Sequence, residues 1–216
     1  MPLKDSRRAP IMCLTLDGVG LTHAEQARRL CAAGARWVQF RMKSGEPDER
    51  LREALATVRI CREHGATCIV NDSVELALAS GADGAHLGAT DGDWREARSR
   101  LGERYILGGT VNDAGAAARA LQADCLDYAG VGPLRHTTTK KVLAPLLGIE
   151  GIRALATLLH PLPAWAIGGV SPEDLPALRA AGAAGVAVSS ALFLEPDGIA
   201  DAFRRYCAAW DGKSAA

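Results

Sequence analysis

Ala32–Phe40 reads AAGARWVQF, and the phrase returns as ASGADGAHL over Ala79–Leu87 and as AAGAAGVAV over Ala180–Val188. Each copy sets a glycine between the end of a helix-patterned segment and a short β-rich run. A residue without Cβ enters the left-handed region at little steric cost, so a glycine there suits a helix C-cap. The copies read as one αβ connection reused along the chain, the mark of βα units laid on a parallel sheet.

Working outward from these phrases, eight βα units can be drawn. The predicted strands are Met12–Leu16, Trp37–Arg41, Thr67–Asn71, Gly84–Leu87, Ile106–Thr110, Leu126–Val131, Ala164–Ile167 and Gly185–Val188. Helical patterns follow each of them, including Ala24–Ala33, Glu49–Glu63 and Ala114–Leu121. Eight such units in 216 residues predict a single α/β domain, a (β/α)8 TIM barrel with its core at about 11–210 and with frayed tails. An open doubly wound sheet is the alternative, and both architectures put the ligand at the strand C-terminal ends.

Lys+Arg and Asp+Glu both number 25, so there is no global field to attract nucleic acid or an anionic membrane, and any phosphate site must be local. The six cysteines include no C-x-x-C pair, which fits reduced thiols and a cytoplasmic location. The apolar run Ile11–Leu16 is too short for a membrane span. Small-molecule partners are expected, with no nucleic acid and no membrane, and a homo-oligomer is compatible with the sequence.

In the second strand Gln39, Arg41 and Lys43 share one face, while Val38, Phe40 and Met42 share the other. Inside a barrel mouth the polar face would need an anionic partner, because an unpaired buried charge is costly. The competing reading is an edge strand with a solvated face. Asp72 and Asp91, delivered from neighbouring strand ends, can share a hard cation such as Mg²⁺. Equally, Asp72 with Glu75 has the spacing of a helix cap. Asp93 with Glu96 has the same spacing and leaves Asp91 unassigned.

Gly130–Lys141, GVGPLRHTTTKK, gathers short hydroxyls and cations beside glycines, a combination suited to a phosphorylated ligand or to an ordinary basic surface loop. Ala166-Ile167-Gly168-Gly169 and Val188-Ser189-Ser190 close the seventh and eighth strands with small residues. Loops there are a recurrent phosphate seat in such barrels. His86 and His136 have no carboxylate partner evident in the sequence and are expected to be structural.

QFRMK (Gln39–Lys43), VND (Val70–Asp72), HLGATD (His86–Asp91), GGTVND (Gly108–Asp113), GVGPLRHTTTKK, AIGG (Ala166–Gly169) and VSSAL (Val188–Leu192) stand in order, one at each strand end from the second to the eighth. Together they resemble the thiamine phosphate synthase family. The resemblance implies a TIM barrel that joins a hydroxymethylpyrimidine diphosphate to a thiazole phosphate with Mg²⁺, releasing pyrophosphate. It places Gln39, Arg41, Lys43, Asn71, Thr110 and Lys140 on the pyrimidine diphosphate, with Phe40 and Met42 in the same substrate-binding stretch. Asp72 and Asp91 would hold Mg²⁺. Thr137, Thr138, Thr139, Gly169, Ser189 and Ser190 would hold the thiazole phosphate, and Arg41, Lys43 and Lys140 would be catalytic.

Departures from the family pattern are Met42 for Glu, Ala89 for Gln, Thr110 for Ser, Asn112 for a frequent His, and Arg135-His136 for an aromatic-Pro pair. Alternatives are a thiazole tautomerase-like paralogue, expected to use a His where Asn112 stands, and a non-catalytic thiamine-phosphate-binding protein.

Overall fold

The computed structural model describes residues 9–136 and 145–212. Gly34, Gly81 and Gly182, the glycines of the repeated phrases, take φ of 108°, 69° and 88°. The alanine after each, Ala35, Ala82 or Ala183, donates its N–H to the carbonyl five residues back, on Leu30, Ala77 or Leu178. That shared bond closes a helix and turns the chain into the next strand. The repeat is therefore one physical connection used three times.

Strands and helices alternate as β1 (Ile11–Leu14), α1 (His23–Ala32), β2 (Trp37–Phe40), α2 (Pro47–Glu63), β3 (Thr67–Asn71), α3 (Val74–Ser80), β4 (Gly84–Leu87) and α4 (Trp94–Leu101), continuing with β5 (Ile106–Val111), α5 (Ala114–Ala123), β6 (Tyr128–Val131), α6 (Gly148–Leu159), β7 (Ala164–Ile167), α7 (Leu175–Ala180), β8 (Gly185–Val188) and α8 (Ile199–Asp211). All neighbouring strands pair in parallel and β8 pairs with β1, so the sheet closes. The doubly wound alternative is excluded. No helix among the described residues is long and apolar enough to cross a membrane.

Bulky side chains and glycines face each other inside the barrel. Tyr128 stands opposite Gly108 on β5, and Trp165 has Gly130 on one side and Gly185 on the other. A Cβ on Gly108 would lie 2.5 Å from the Tyr128 Oη, and one on Gly185 would lie 2.8 Å from the Trp165 Cδ1. Those glycines are needed for space. Trp37, Tyr128 and Trp165 meet with ring centroids 5.0–5.7 Å apart and fill the end of the barrel where the strands begin. Met12, Leu14, Ile69, Ile106 and Ala187 complete this inner core.

Outward-facing residues such as Val38, Phe40 and Val70 pack beneath the helices in a second layer. Polar side chains are left for the opposite rim.

Candidate active site at the strand C-terminal rim

Asp72, directly after β3, takes a left-handed conformation, φ 67°, which is uncommon for a residue with a Cβ and tends to mark functional positions. The helix cap is not its task. Ser73 caps α3, accepting from the Leu76 N–H at 3.1 Å and donating to Glu75 Oε2. Asp93 caps α4 through the Arg95 and Glu96 amides, as its spacing predicted. Both capping demands are met without Asp72 or Asp91.

The two spare carboxylates lie together. Burial pushes the Asp91 carboxyl above its ordinary range, and the hydrogen bond and charge of Asp72 push it the same way. The Asp91 carboxylate also accepts from the Gly88 N–H at 2.7 Å, a bond that opposes the rise. Lys43 Nζ, from the segment after β2, meets Asp72 Oδ2. Strand ends from β2, β3 and β4 thus bring one cation and two acids to one point.

Gln39 points inward as expected, but it is 2% exposed and its amide donates to the Met12 sulfur at 3.5 Å, beneath the rim. Arg41 is half-buried above it. Phe40 and Met42 depart from the substrate-binding stretch expected of them. Their parity turns them into the layer under the helices, where Phe40 packs edge-on against the His23 ring at 5.2 Å. Asn71 has the inward parity of Ile69, and Thr110 Oγ1 is 3.0 Å from His86 Nε2. His86 Nδ1 is 3.0 Å from the Tyr128 hydroxyl, so its ring bridges the rim to the aromatic floor. Both ring nitrogens therefore have partners within the barrel. Thr137, Thr138, Thr139 and Lys140 lie outside the described residues.

Across the same rim, Gly168 and Gly169 follow β7 with φ 95° and 70°. The chain after β6 runs alongside them: Leu134 N–H donates to Ile167 O at 2.9 Å and Arg135 N–H to Gly168 O at 3.0 Å. Side chains on Gly168 and Gly169 would collide with Pro133 and Arg135. Ser189 Oγ, after β8, is a buried hydroxyl with no hydrogen-bond partner among the described residues, the kind of donor a ligand oxygen would satisfy. An open depression of about 710 Å³ between the β7–α7 connection and α8 touches this seat only at Gly169.

Two side-chain arrangements had no sequence forecast. Arg135 grips Asp174 through two bonds of 2.6 and 2.7 Å and also donates to Gly169 O at 2.8 Å. The β1 end supplies Thr15 and Asp17, which accept from the backbone N–H groups of Arg41 and Lys43, each at 2.9 Å. The only sequence signal for the latter was a polar T-x-D after an apolar strand.

A closed (β/α)8 barrel with paired acids and a lysine on one side of its rim, and a glycine/serine seat on the other, has the layout of the barrel enzymes, whose sites lie at the strand C-terminal face. A profile described as thiamine monophosphate synthase matches residues 10–192, and the chain belongs to that family. The chain is 40% identical over 187 residues to a thiamine-phosphate synthase of Phocaeicola vulgatus, covering 85% of this chain and 89% of the relative. A thiamine-phosphate synthase of Myxococcus xanthus is 43% identical over 189 residues, covering 87% and 84%. The solved thiamine phosphate pyrophosphorylase of Pyrococcus furiosus superposes with a TM-score of 0.85 at 26% identity, covering 97% of this chain and 98% of that one.

Proposed function

We propose that the chain condenses 4-amino-2-methyl-5-hydroxymethylpyrimidine diphosphate with 4-methyl-5-(2-phosphoethyl)thiazole, giving thiamine monophosphate and pyrophosphate. It is a transferase of thiamine biosynthesis. The observation that carries the reading is the meeting of Lys43, Asp72 and Asp91 at adjoining strand ends. Free thiols at all six cysteines support a cytoplasmic setting, and the closed barrel supports one domain over about 11–210.

Asp72 and Asp91 fit Mg²⁺, which takes one or two carboxylates and completes its shell with water and substrate phosphate oxygens. When bound, Mg²⁺ would neutralise charge on the departing pyrophosphate. The protein's own part is positional and electrostatic. Arg41, Lys43 and Lys140 would hold the diphosphate and stabilise the charge it gathers on leaving, Arg41 with a two-pronged contact. Asn71 and Thr110 would orient the pyrimidine from the inner face. The positive charge left on the pyrimidine methylene spreads into the amino-substituted ring, and the thiazole nitrogen attacks that carbon. No protein nucleophile is required.

On the far side Gly169, Ser189 and Ser190, with Thr137, Thr138 and Thr139, would seat the thiazole phosphate. Ser189 Oγ brings to this task a buried hydroxyl that no described residue engages. The tautomerase reading loses support, because Asn112 stands at the position of its expected histidine and donates its amide to Gly132 O.

The test is pyrophosphate release from purified protein. It should require both substrates and Mg²⁺, and Arg41→Ala should cost on the order of a hundredfold in rate. Full turnover by an Asp72→Ala/Asp91→Ala double variant would remove the metal assignment.

A further inference from the structure

The β1–β2 ladder does not stop where the strands do. Thr15 N–H donates to Gln39 O at 3.0 Å, the last backbone bond of the pair. Beyond it the next two alternate amides of the β2 segment, Arg41 and Lys43, have side-chain acceptors: Thr15 Oγ1 and Asp17 Oδ2, both at 2.9 Å. These are the residues whose side chains face the proposed diphosphate.

His23, at the start of α1, ties the two acceptors together. Its Nδ1 is 2.7 Å from Thr15 Oγ1 and its Nε2 is 3.0 Å from Asp17 Oδ1. One proton arrangement satisfies every group. A neutral imidazole protonated on Nε2 donates to the carboxylate, its Nδ1 accepts from the Thr15 hydroxyl, and that hydroxyl oxygen still accepts from Arg41 N–H. The ring is 5% exposed and wedged against Phe40, between Gln39 and Arg41 in the chain. Gln26, fully buried on the next turn of α1, fixes the intervening loop by accepting from Leu16 N–H and donating to the Leu16 and Leu21 carbonyls.

We infer that Thr15, Asp17 and His23 form a positioning brace that continues the barrel ladder in side chains and sets where Arg41 and Lys43 meet the pyrimidine diphosphate. None of the three touches the substrate in this assignment. They act through the backbone of the two cations, and the inference rests on the diphosphate role proposed for those cations. Angular freedom at the base of an arginine or lysine is multiplied at its tip, so losing one anchoring bond should weaken diphosphate binding and its stabilisation on departure far more than it disturbs the thiazole seat across the rim.

The experiment compares wild type, Thr15→Val, Thr15→Ser and Asp17→Ala. Amide hydrogen exchange at Arg41 and Lys43, calorimetric binding of inorganic pyrophosphate with Mg²⁺, and kcat and KM for each substrate are read. Thr15→Val keeps the shape and removes the hydroxyl. It should speed exchange at Arg41 and weaken pyrophosphate binding by about tenfold, the worth of one good hydrogen bond, with KM for the thiazole phosphate unmoved. Thr15→Ser should restore most of the loss. Asp17→Ala, at a side chain 27% exposed where folding is less at risk, should release the Lys43 amide in the same way.

Unchanged exchange at Arg41 in Thr15→Val, or equal losses for both substrates with no recovery in Thr15→Ser, would overturn the brace. Weakened pyrophosphate binding in the variants of a protein that makes no thiamine phosphate would support the brace and overturn the proposed activity.

Discussion

Arg135→Ala and Asp174→Ala, made singly and together, probe how the connection after β6 is locked to the one after β7. The guanidinium donates twice to the Asp174 carboxylate and once to Gly169 O, and Asp174 also accepts from the Ser171 N–H and hydroxyl at 2.7 and 3.0 Å. The Arg135 side chain is 50% exposed and that of Asp174 12%, so the pair lies between two regimes. Fully exposed pairs contribute up to about 1 kcal/mol, and stripping a partner from a fully buried one costs about 3–5 kcal/mol. A coupling energy of about 1–2 kcal/mol is expected from a double-mutant cycle followed by urea denaturation at neutral pH.

Burial alone would raise the Asp174 pKa. The bonds from Arg135 and Ser171 outweigh it and hold the carboxyl below its ordinary 3.8. A lowered folded pKa means the contribution is complete above pH 3.8 and is lost as the pH falls through the folded value, so the coupling should shrink in strong acid. Because Arg135 also holds the Gly169 carbonyl, its loss should raise KM for the thiazole phosphate severalfold while leaving pyrophosphate affinity alone. A coupling under about 0.3 kcal/mol at neutral pH, which is ordinary additivity, would refute the lock.

The barrel interior and the β1 brace yield two more expectations. Gly108→Ala drives a methyl into the Tyr128 ring edge, and overpacking of this kind costs about 1–3 kcal/mol, or roughly 3–10 °C of melting temperature for a chain this size. An unaltered thermal melt would contradict the inward packing. His23 is held below its ordinary 6.5 by burial, with Asp17 opposing, so the unfolded chain binds a proton there more readily than the folded one. Its share of stability is complete above pH 6.5 and lost as the pH falls through the folded value. His23→Gln should flatten that part of the stability–pH curve in chemical denaturation, and an unchanged slope would count against a buried neutral imidazole.

The parts of the fold legible in the sequence were local ones. AAGARWVQF and its copies state their own turn, because the glycine and the alanine after it complete bonds within a few residues. The rim was partly legible through parity, which separated Gln39 and Arg41 from Val38 and Phe40. The same parity already turned Met42 away from the mouth, although family likeness had grouped it and Phe40 with the substrate. Spacing alone offered Asp72 with Glu75 as the cap of α3, whereas the structure gives that cap to Ser73 and leaves Asp72 in a left-handed conformation. What stayed hidden is contact between distant segments: Thr15 with Arg41, Arg135 with Asp174, Gly108 with Tyr128. None of these pairs follows from periodicity, since each exists only once the sheet has closed.

Among the described residues, the aromatic floor of Trp37, Tyr128 and Trp165, each at most 2% exposed, fills the end of the barrel where the strands begin. Under the proposed function, reactants and product share the opposite, rim side of the barrel, so a product still bound there obstructs the next pair of reactants.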